Sequence, residues 1–568
     1  MARSTSSKTK SAKAGVIHRI LFRCYSAAGI VLRHARKHTG VGMICSVAYF
    51  DPGNWGADLQ AGSEYGYKLL FVVLLSGLFA IYMQILASRL GCVTGLDLAS
   101  HCRLLLHDRP KHTRLWRWLV LYPLYLLSEA AIISTDLAEL LGSAIALCLL
   151  FPKLPEWAGV LVTAADVLAL LAFRDPLRGQ PVRVFELLIA VLVFTVLICM
   201  AVIISKAGVH WGHAFDGFIP SHVLITPGGL YTSVSILGAT VMPHSLYLGS
   251  ALATQDRLLK SKGNDTLILA ETRKCELSMT SLRLWRPQLW AFVKSLREHF
   301  VVAPMQDDAT TPKSHEEREN HALAFVRAHL YHGIVDMVIS LLGLAVVINT
   351  LILVLASAVF YSPGSVNSNS PATLFDTYDL LRDRLGKAVA ILFALALLAS
   401  GQSSSIVATL AGQTVSEGFI RWRMSPVARR LVTRCLGLIP SMVVASALGR
   451  AGISTLLIVS QVVLSIVLPF VAFPLIWLTS SKSIMSVKKP RPDKSSVEIP
   501  ALSSDDAPDE VQLKEACVEV EEDKEAAEEE MVDFSNGKFT ICLGYSIWLL
   551  IVIANAYTIV TLAMGEDG

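Results

Sequence analysis

About eleven apolar stretches, each long enough to cross a bilayer as a helix, recur along this 568-residue chain. They fall near 39–66, 68–90, 117–150, 156–173, 183–206, 228–254, 325–361, 388–415, 427–448, 453–479 and 539–564. The pattern predicts an all-α polytopic membrane protein. Two of the stretches are interrupted. In the first, Asp51-Pro52-Gly53-Asn54 sits in mid-span. A carboxylate at that depth costs about 2.5–3.5 kcal/mol. Pro52 lacks an N–H, and Gly53 has no stiffening side chain. In the sixth, Met242-Pro243-His244 breaks the pattern again. Freed backbone at membrane depth is tolerated where it lines a cavity or binds something. Two Pro/Gly-interrupted spans in corresponding places point to an inverted-repeat transporter with its site at the breaks. The first and sixth helices are therefore expected to be unwound.

Polar segments set the organisation: a basic tail over 1–38, a transporter domain over 39–479 with an insert at 255–324, a charged loop over 480–538, and a last helix at 539–564. The tail carries Arg3, Lys8, Lys10, Lys13, Arg19, Arg23, Arg33, Arg36 and Lys37, and no acid. Basic residues also crowd the even-numbered connections, as at Arg103, Arg109, Lys111, Arg114 and Arg117, and at Arg421, Arg423, Arg429 and Arg430. This asymmetry places the N-terminus and both inserts in the cytosol and the C-terminus outside. The sequon at Asn264 then stays unmodified. The loop 480–538 starts basic and turns acidic through Glu519–Glu530, which reads as disordered or as a lone surface helix.

Apolar residues make up 53% of the chain and charged ones 17%, which excludes an ordinary soluble globule. Ten cysteines stand singly, with no CxxC pair, so neither a disulfide framework nor a zinc ribbon is expected. No phosphate-binding Gly-x-x-x-x-Gly-Lys-Ser/Thr loop is present. The chain reads as a transporter driven by ion gradients, not as an enzyme, and no nucleic-acid partner is expected.

The chemistry sits at the breaks. Asp51 offers a charged hard oxygen, Asn54 an amide oxygen, and the backbone of Ala48 a carbonyl. Met242 offers a thioether and Ala239 a second carbonyl. Oxygens alone suit Mg²⁺ and Ca²⁺; a soft sulfur shifts preference toward transition metals. Gln461, a polar residue within the tenth span, can complete the metal shell, hydrogen-bond Asp51, or join helices. On the third span, Glu129, Asp136 and Glu139 are spaced by seven and three, which puts three carboxylates on one face. Such a face is a candidate proton relay, or a set of packing pairs. His244 suits a proton shuttle and, alternatively, a metal ligand. Arg434 can accept charge partners from the third span or anchor the ninth on the cytosolic side. The serine-rich run Gly401-Gln402-Ser403-Ser404-Ser405 reads as small-residue packing.

At these residues the chain resembles the natural resistance-associated macrophage protein (Nramp) family of proton-coupled divalent-metal transporters. The strings are Asp-Pro-Gly-Asn at 51–54, Glu-Ala-Ala-Ile-Ile-Ser-Thr-Asp-Leu-Ala-Glu at 129–139, Ala-Thr-Val-Met-Pro-His at 239–244, Gly-Gln-Ser-Ser at 401–404 and Ser-Gln-Val-Val-Leu-Ser at 460–465. They occur in the family's order across the whole transporter domain, and the long inserts resemble those of fungal members. The resemblance implies a LeuT-type fold with spans 1–5 and 6–10 as inverted repeats. It implies Mn²⁺ or Fe²⁺ as the transported ion with H⁺ as the coupled one, and no resident cofactor. It carries the metal ligands onto Asp51, Asn54, Met242, Ala48, Ala239 and, in some states, Gln461. It carries the proton route onto His244, Glu129, Asp136, Glu139 and Arg434. One position departs: where relatives place a second histidine, five residues after that of Met-Pro-His, this chain has Gly249. A metal-sensing receptor of the same fold, signalling to cytosolic regulators through 255–324 and 480–538, is the competing reading. An amino-acid carrier is disfavoured, because Asp51 would repel the substrate carboxylate.

Overall fold

The computed structural model describes residues 40–164, 183–256, 314–315, 317–361, 372–421, 426–489 and 530–564. The tail 1–38, Asn264 with most of its insert, and the acidic run of the second insert up to residue 529 lie outside the described residues. The first span is two helices, α1 (Val41–Val47) and α2 (Pro52–Tyr65). The second is α3 (Leu70–Thr94), followed by the short α4 (Leu98–Leu106). The third is α5 (Thr113–Leu150). α6 (Glu156–Ala164) opens the fourth, and α7 (Arg183–Lys206) is the fifth. The sixth is again two helices, α8 (Pro227–Thr240) and α9 (Pro243–Leu252). Then come α10 (Leu323–Phe360), a short α11 (Leu374–Leu385), α12 (Lys387–Ile420), α13 (Pro426–Ala447), α14 (Gly449–Ser480) and α15 (Lys538–Ala563).

Among the described residues, seven helical stretches are long and apolar enough to cross a membrane by themselves. The first and sixth spans are not among the continuous ones, because a break divides each into two short halves. Both halves that follow a break begin with proline at the first helical position, where a missing N–H costs nothing. The same proline removes the donor that the carbonyl four residues earlier would use. Pro52 thus frees Ala48, and Pro243 frees Ala239. Elsewhere the fold repairs such losses. Pro469 inside α14 frees the Ser465 carbonyl, and Asn555 of α15 donates Nδ2 to it at 2.9 Å.

The helices assemble as two groups with the breaks between them. α5 packs on α12 and α14, and α7 packs on α12. On the other side α10 packs on α1, α2 and α3, and α9 lies on α3. α2 touches both groups, and α8 joins it to α14. Gly142 of α5 lets α2 approach so closely that a Cβ there would overlap Pro52. On the outer surface Leu187, Val191, Phe194 and Ile198 form an exposed stripe at helical spacing on α7. A stripe of that kind is intolerable in water and ordinary against lipid tails.

Strand β1 (Ser486–Lys488) pairs antiparallel with β2 (Met531–Asp533), a small departure from the all-helical expectation. The ladder brings together the two ends of the loop between them. Arg89, near the end of α3, donates to the Phe534 carbonyl at 2.7 Å and to Asn536 Oδ1 at 2.8 Å. On the same helix end, Arg318 caps the carbonyls of Gly95 (2.7 Å) and Thr94 (3.1 Å). His101 of α4 stacks on His315, with Nδ1 and Nε2 2.9 Å apart.

Candidate metal site

Each break turns its backbone extended and points a capping residue inward. Asp51 (φ −61°, ψ 173°) is the N-cap of α2, and its Oδ1 accepts from the Asn54 backbone N–H at 3.0 Å. Met242 (φ −77°, ψ 123°) holds the same place before α9. The breaks meet through Asn54. Its Nδ2 donates to Asp51 Oδ1 at 2.7 Å and to the freed Ala239 carbonyl at 2.9 Å. Asp51, Asn54, Ala48, Ala239 and Met242 are all at most 2% exposed. Gln461 reaches in from α14 over Gly53, where a Cβ would overlap its amide. Its Nε2 donates to Ser460 Oγ at 2.9 Å.

Asn349 of α10 belongs to this cluster and was not a sequence candidate. Its Nδ2 donates to the Tyr49 carbonyl at 2.8 Å and to Asn54 Oδ1 at 3.3 Å. The only sequence signal for it is an amide inside an apolar span. Asp51 Oδ2, Gln461 Oε1 and Asn349 Oδ1 are buried acceptors with no hydrogen-bond donor. A buried acceptor without a partner costs about 1–3 kcal/mol, more for a charged one. Three of them, one on a carboxylate, beside the freed Ala239 carbonyl make a surrounding that a cation would relieve.

The proton candidates line a path along α5. Gly142 meets Pro52, so Glu139, buried at 1% exposure and one turn away, is the α5 acid of the three candidates that lies nearest the first break along that helix. His244 begins α9, and its Nδ1 lies 3.2 Å from Thr135 Oγ1. Next to Thr135, Asp136 Oδ1 is 3.3 Å from Arg434 Nη1, which also donates to the Asp136 carbonyl at 3.1 Å. Arg434 Nη2 in turn donates to Ser405, so one serine of the run taken as packing holds a charged partner. Two turns further toward the Thr113 end, Glu129 does not face Arg434. Arg429 Nη2 lies 2.7 Å from both of its carboxylate oxygens. Arg429, counted from sequence with the cytosolic anchors, is instead a buried partner within α13. A cavity of about 10 Å³, room for the centre of one water, separates Asp136 from Arg429 and is lined also by Thr409 and Thr433. Thr135 and Arg429 are the members of this path that sequence reasoning did not single out.

Residues 42–492 match the family described as natural resistance-associated macrophage protein-like (Nramp). The chain belongs to the Nramp family. It is 37% identical to manganese transporter pdt1 of Schizosaccharomyces pombe over 538 residues, 94% of this chain and 87% of that one. It is 35% identical to iron transporter SMF3 of Saccharomyces cerevisiae, covering 94% and 98%. Among solved structures it is similar to a manganese transporter of Eremococcus coleocola. The TM-score there is 0.62 at 27% identity, covering 92% of this chain and 86% of that one. The polytopic helical fold with two unwound spans, expected for a LeuT-type transporter, is the fold of this Nramp chain.

The departure at Gly249 has a steric counterpart. A Cβ at Gly249 would overlap the Gln84 amide of α3, so the glutamine fills the space. Gln84 accepts from the Tyr49 hydroxyl at 3.1 Å and donates to the Ser245 carbonyl at 3.3 Å. In this Nramp chain a neutral amide network therefore stands beside α9, where relatives are expected to carry an imidazole.

Proposed function

We propose that this chain is a secondary transporter that carries a divalent transition metal, Mn²⁺ or Fe²⁺, across a membrane together with H⁺. The observation that carries the reading is the meeting of the two proline-broken helices. There Asn54 bridges the Asp51 carboxylate to the freed Ala239 carbonyl, and Asp51 Oδ2, Gln461 Oε1 and Asn349 Oδ1 are buried without a donor. The first coordination sphere is drawn from Asp51, Asn54, Met242, Ala48, Ala239 and Gln461. Asn54 has a particular part. Its amide N–H groups satisfy Asp51 Oδ1 and the Ala239 carbonyl, two oxygens a cation would take. Turning the amide over replaces two donors by one more acceptor, so the same side chain serves the empty and the loaded site.

H⁺ leaves the metal site through His244 and Thr135 or through Glu139, passes Asp136, and reaches Glu129 by way of the small cavity between Asp136 and Arg429. Arg434 and Arg429 hold the carboxylates in place along this route. The basic tail and the even-numbered basic connections support a cytosolic N-terminus, with both inserts on that side, in the plasma membrane or an endomembrane. Uptake of Mn²⁺, Fe²⁺, Cd²⁺, Mg²⁺ and Ca²⁺ by the full-length chain in liposomes, with and without a pH gradient, tests the reading. Mn²⁺ and Fe²⁺ should enter and acidify the lumen, and Asp51→Asn should abolish entry while the protein stays folded. Unimpaired entry in that variant overturns the site.

A further inference from the structure

One turn beyond the metal site, on the side where α2 and α8 continue together, lies a second buried carboxylate. Asp58 follows Asn54 by one turn of α2, is 1% exposed, and its Oδ2 has no hydrogen-bond partner. Asp51, Asn54 and Asp58 share one helix face by their spacing. A buried carboxylate at membrane depth marks function by default, and none of the chemistry above uses this one. A second atom faces the same problem. Ser235 precedes Ala239 by one turn of α8 and is 2% exposed. Its Oγ makes no hydrogen bond, not even the usual one to its own helix, whereas Ser233 donates to the Gly229 carbonyl at 2.6 Å.

α2 leaves its break and α8 runs into its own, and the two pack together, so they run antiparallel. Asn54 ties them at the breaks by donating to the Ala239 carbonyl at 2.9 Å. Asp58 follows Asn54 and Ser235 precedes Ala239 by four residues, so each lies one turn, about 6 Å of rise, from that tie and they come to the same level. A carboxylate oxygen and a hydroxyl, both buried and both without a hydrogen-bond partner, thus stand at one height above Asp51.

We propose that Asp58 and Ser235 form a second cation station on the outward route, where a partly hydrated dication waits before it reaches Asp51. The inference rests on the metal-transport reading above. On the proposed topology α2 and α8 continue from the breaks toward the outside, so this station is passed first. Its protein donors are all hard oxygens, with no sulfur. It accepts Mn²⁺, Ca²⁺ and Mg²⁺ with little discrimination. Selection then falls to Met242 at the inner site, and Ca²⁺ blocks entry without being carried through. Both oxygens are sealed in the conformation described, so loading requires the outward face to open.

The test uses the full-length chain in liposomes, with Mn²⁺ as the transported probe and Ca²⁺ as the competitor. Asp58→Asn should raise KM for Mn²⁺ about tenfold with kcat within about twofold, and should raise the Ca²⁺ needed for half-inhibition by a similar factor. Asp58→Glu should restore most of both. Ser235→Ala should shift both in the same direction by a smaller factor, and it keeps the proposal testable should Asp58→Asn fold poorly. In calorimetry on purified protein, Asp51→Asn should retain one weak Mn²⁺ site that Asp51→Asn/Asp58→Asn lacks. Unchanged KM and unchanged Ca²⁺ inhibition in Asp58→Asn and Ser235→Ala overturn the station. So does a change confined to the pH profile, which would make Asp58 a proton carrier. Failure of the underlying reading looks different: Asp51→Asn would then transport like the unaltered protein.

Discussion

The Glu129–Arg429 pair separates a proton route from mere packing. The two side chains are 16% and 8% exposed, and Arg429 Nη2 stands 2.7 Å from both carboxylate oxygens. An exposed ion pair is worth about 0–1 kcal/mol, whereas removing one partner of a buried pair costs about 3–5 kcal/mol. This pair lies close to the buried limit, so each single change should cost about 2–4 kcal/mol. Glu129→Gln should be the costlier, because a guanidinium left alone cannot shed its charge, whereas a carboxylate left alone can take up a proton. The variant Glu129→Gln/Arg429→Met removes both charges and should return to within about 1 kcal/mol of the starting stability, a coupling of about 2–3 kcal/mol. Equilibrium unfolding of the full-length protein in detergent micelles, followed by tryptophan fluorescence, gives the three values. Measuring Mn²⁺-driven acidification in liposomes on the same variants adds the functional half. If Glu129 carries H⁺, acidification stays low in the paired variant although stability has returned. Single variants within about 0.5 kcal/mol of the starting protein would refute the energetic argument. Recovery of acidification together with stability would leave Glu129 as a packing partner only.

Met242→Ala should weaken Mn²⁺ binding less than it weakens exclusion of Ca²⁺ and Mg²⁺, shifting the uptake ratio by roughly tenfold, or about 1.4 kcal/mol. Competitive uptake reads this, and continued exclusion of Ca²⁺ would show that the thioether does not select. Gly249→Ala should cost about 1–3 kcal/mol by driving a methyl into the Gln84 amide. Gln84→Ala in the same chain should recover most of that loss, and unfolding in micelles compares the two. The contact of α4 with the segment around His315 should loosen on acidification. Burial first, and then the neighbouring His315 and Arg318 charges, hold His101 well below its ordinary 6.5, and burial with Arg318 lowers His315. Undocked histidines take up protons near that ordinary value and docked ones do not, so docking is intact above about pH 6.5 and is lost progressively below it. The protection of the His321 amide, which donates to the Val93 carbonyl at 3.1 Å, taken relative to the intrinsic exchange rate at each pH, should fall between about pH 7 and 5.5. His101→Phe should flatten that dependence.

The breaks were legible because their causes are local. A carboxylate and a proline inside an apolar run announce an interruption wherever the chain later packs, and the missing N–H of Pro52 and Pro243 fixes which carbonyls are freed. The spacing of Glu129, Asp136 and Glu139 likewise needs only the helical repeat. Partners were not legible, because they are set by which helices become neighbours. Arg429 and Arg434 stand five residues apart in one basic stretch, yet each meets a different acid of α5, about three hundred positions earlier. Asn349 joins Asn54 across a similar separation, and an amide inside an apolar span is a signal that names no partner. Gly249 read as the loss of an imidazole until α3 placed Gln84 in the vacated volume. Asp58 and Ser235 reach one level only because two half-helices from distant parts of the chain run antiparallel and are tied at Asn54. Local backbone chemistry thus decided where the chain opens, and long-range packing decided which side chains stand there to meet an ion.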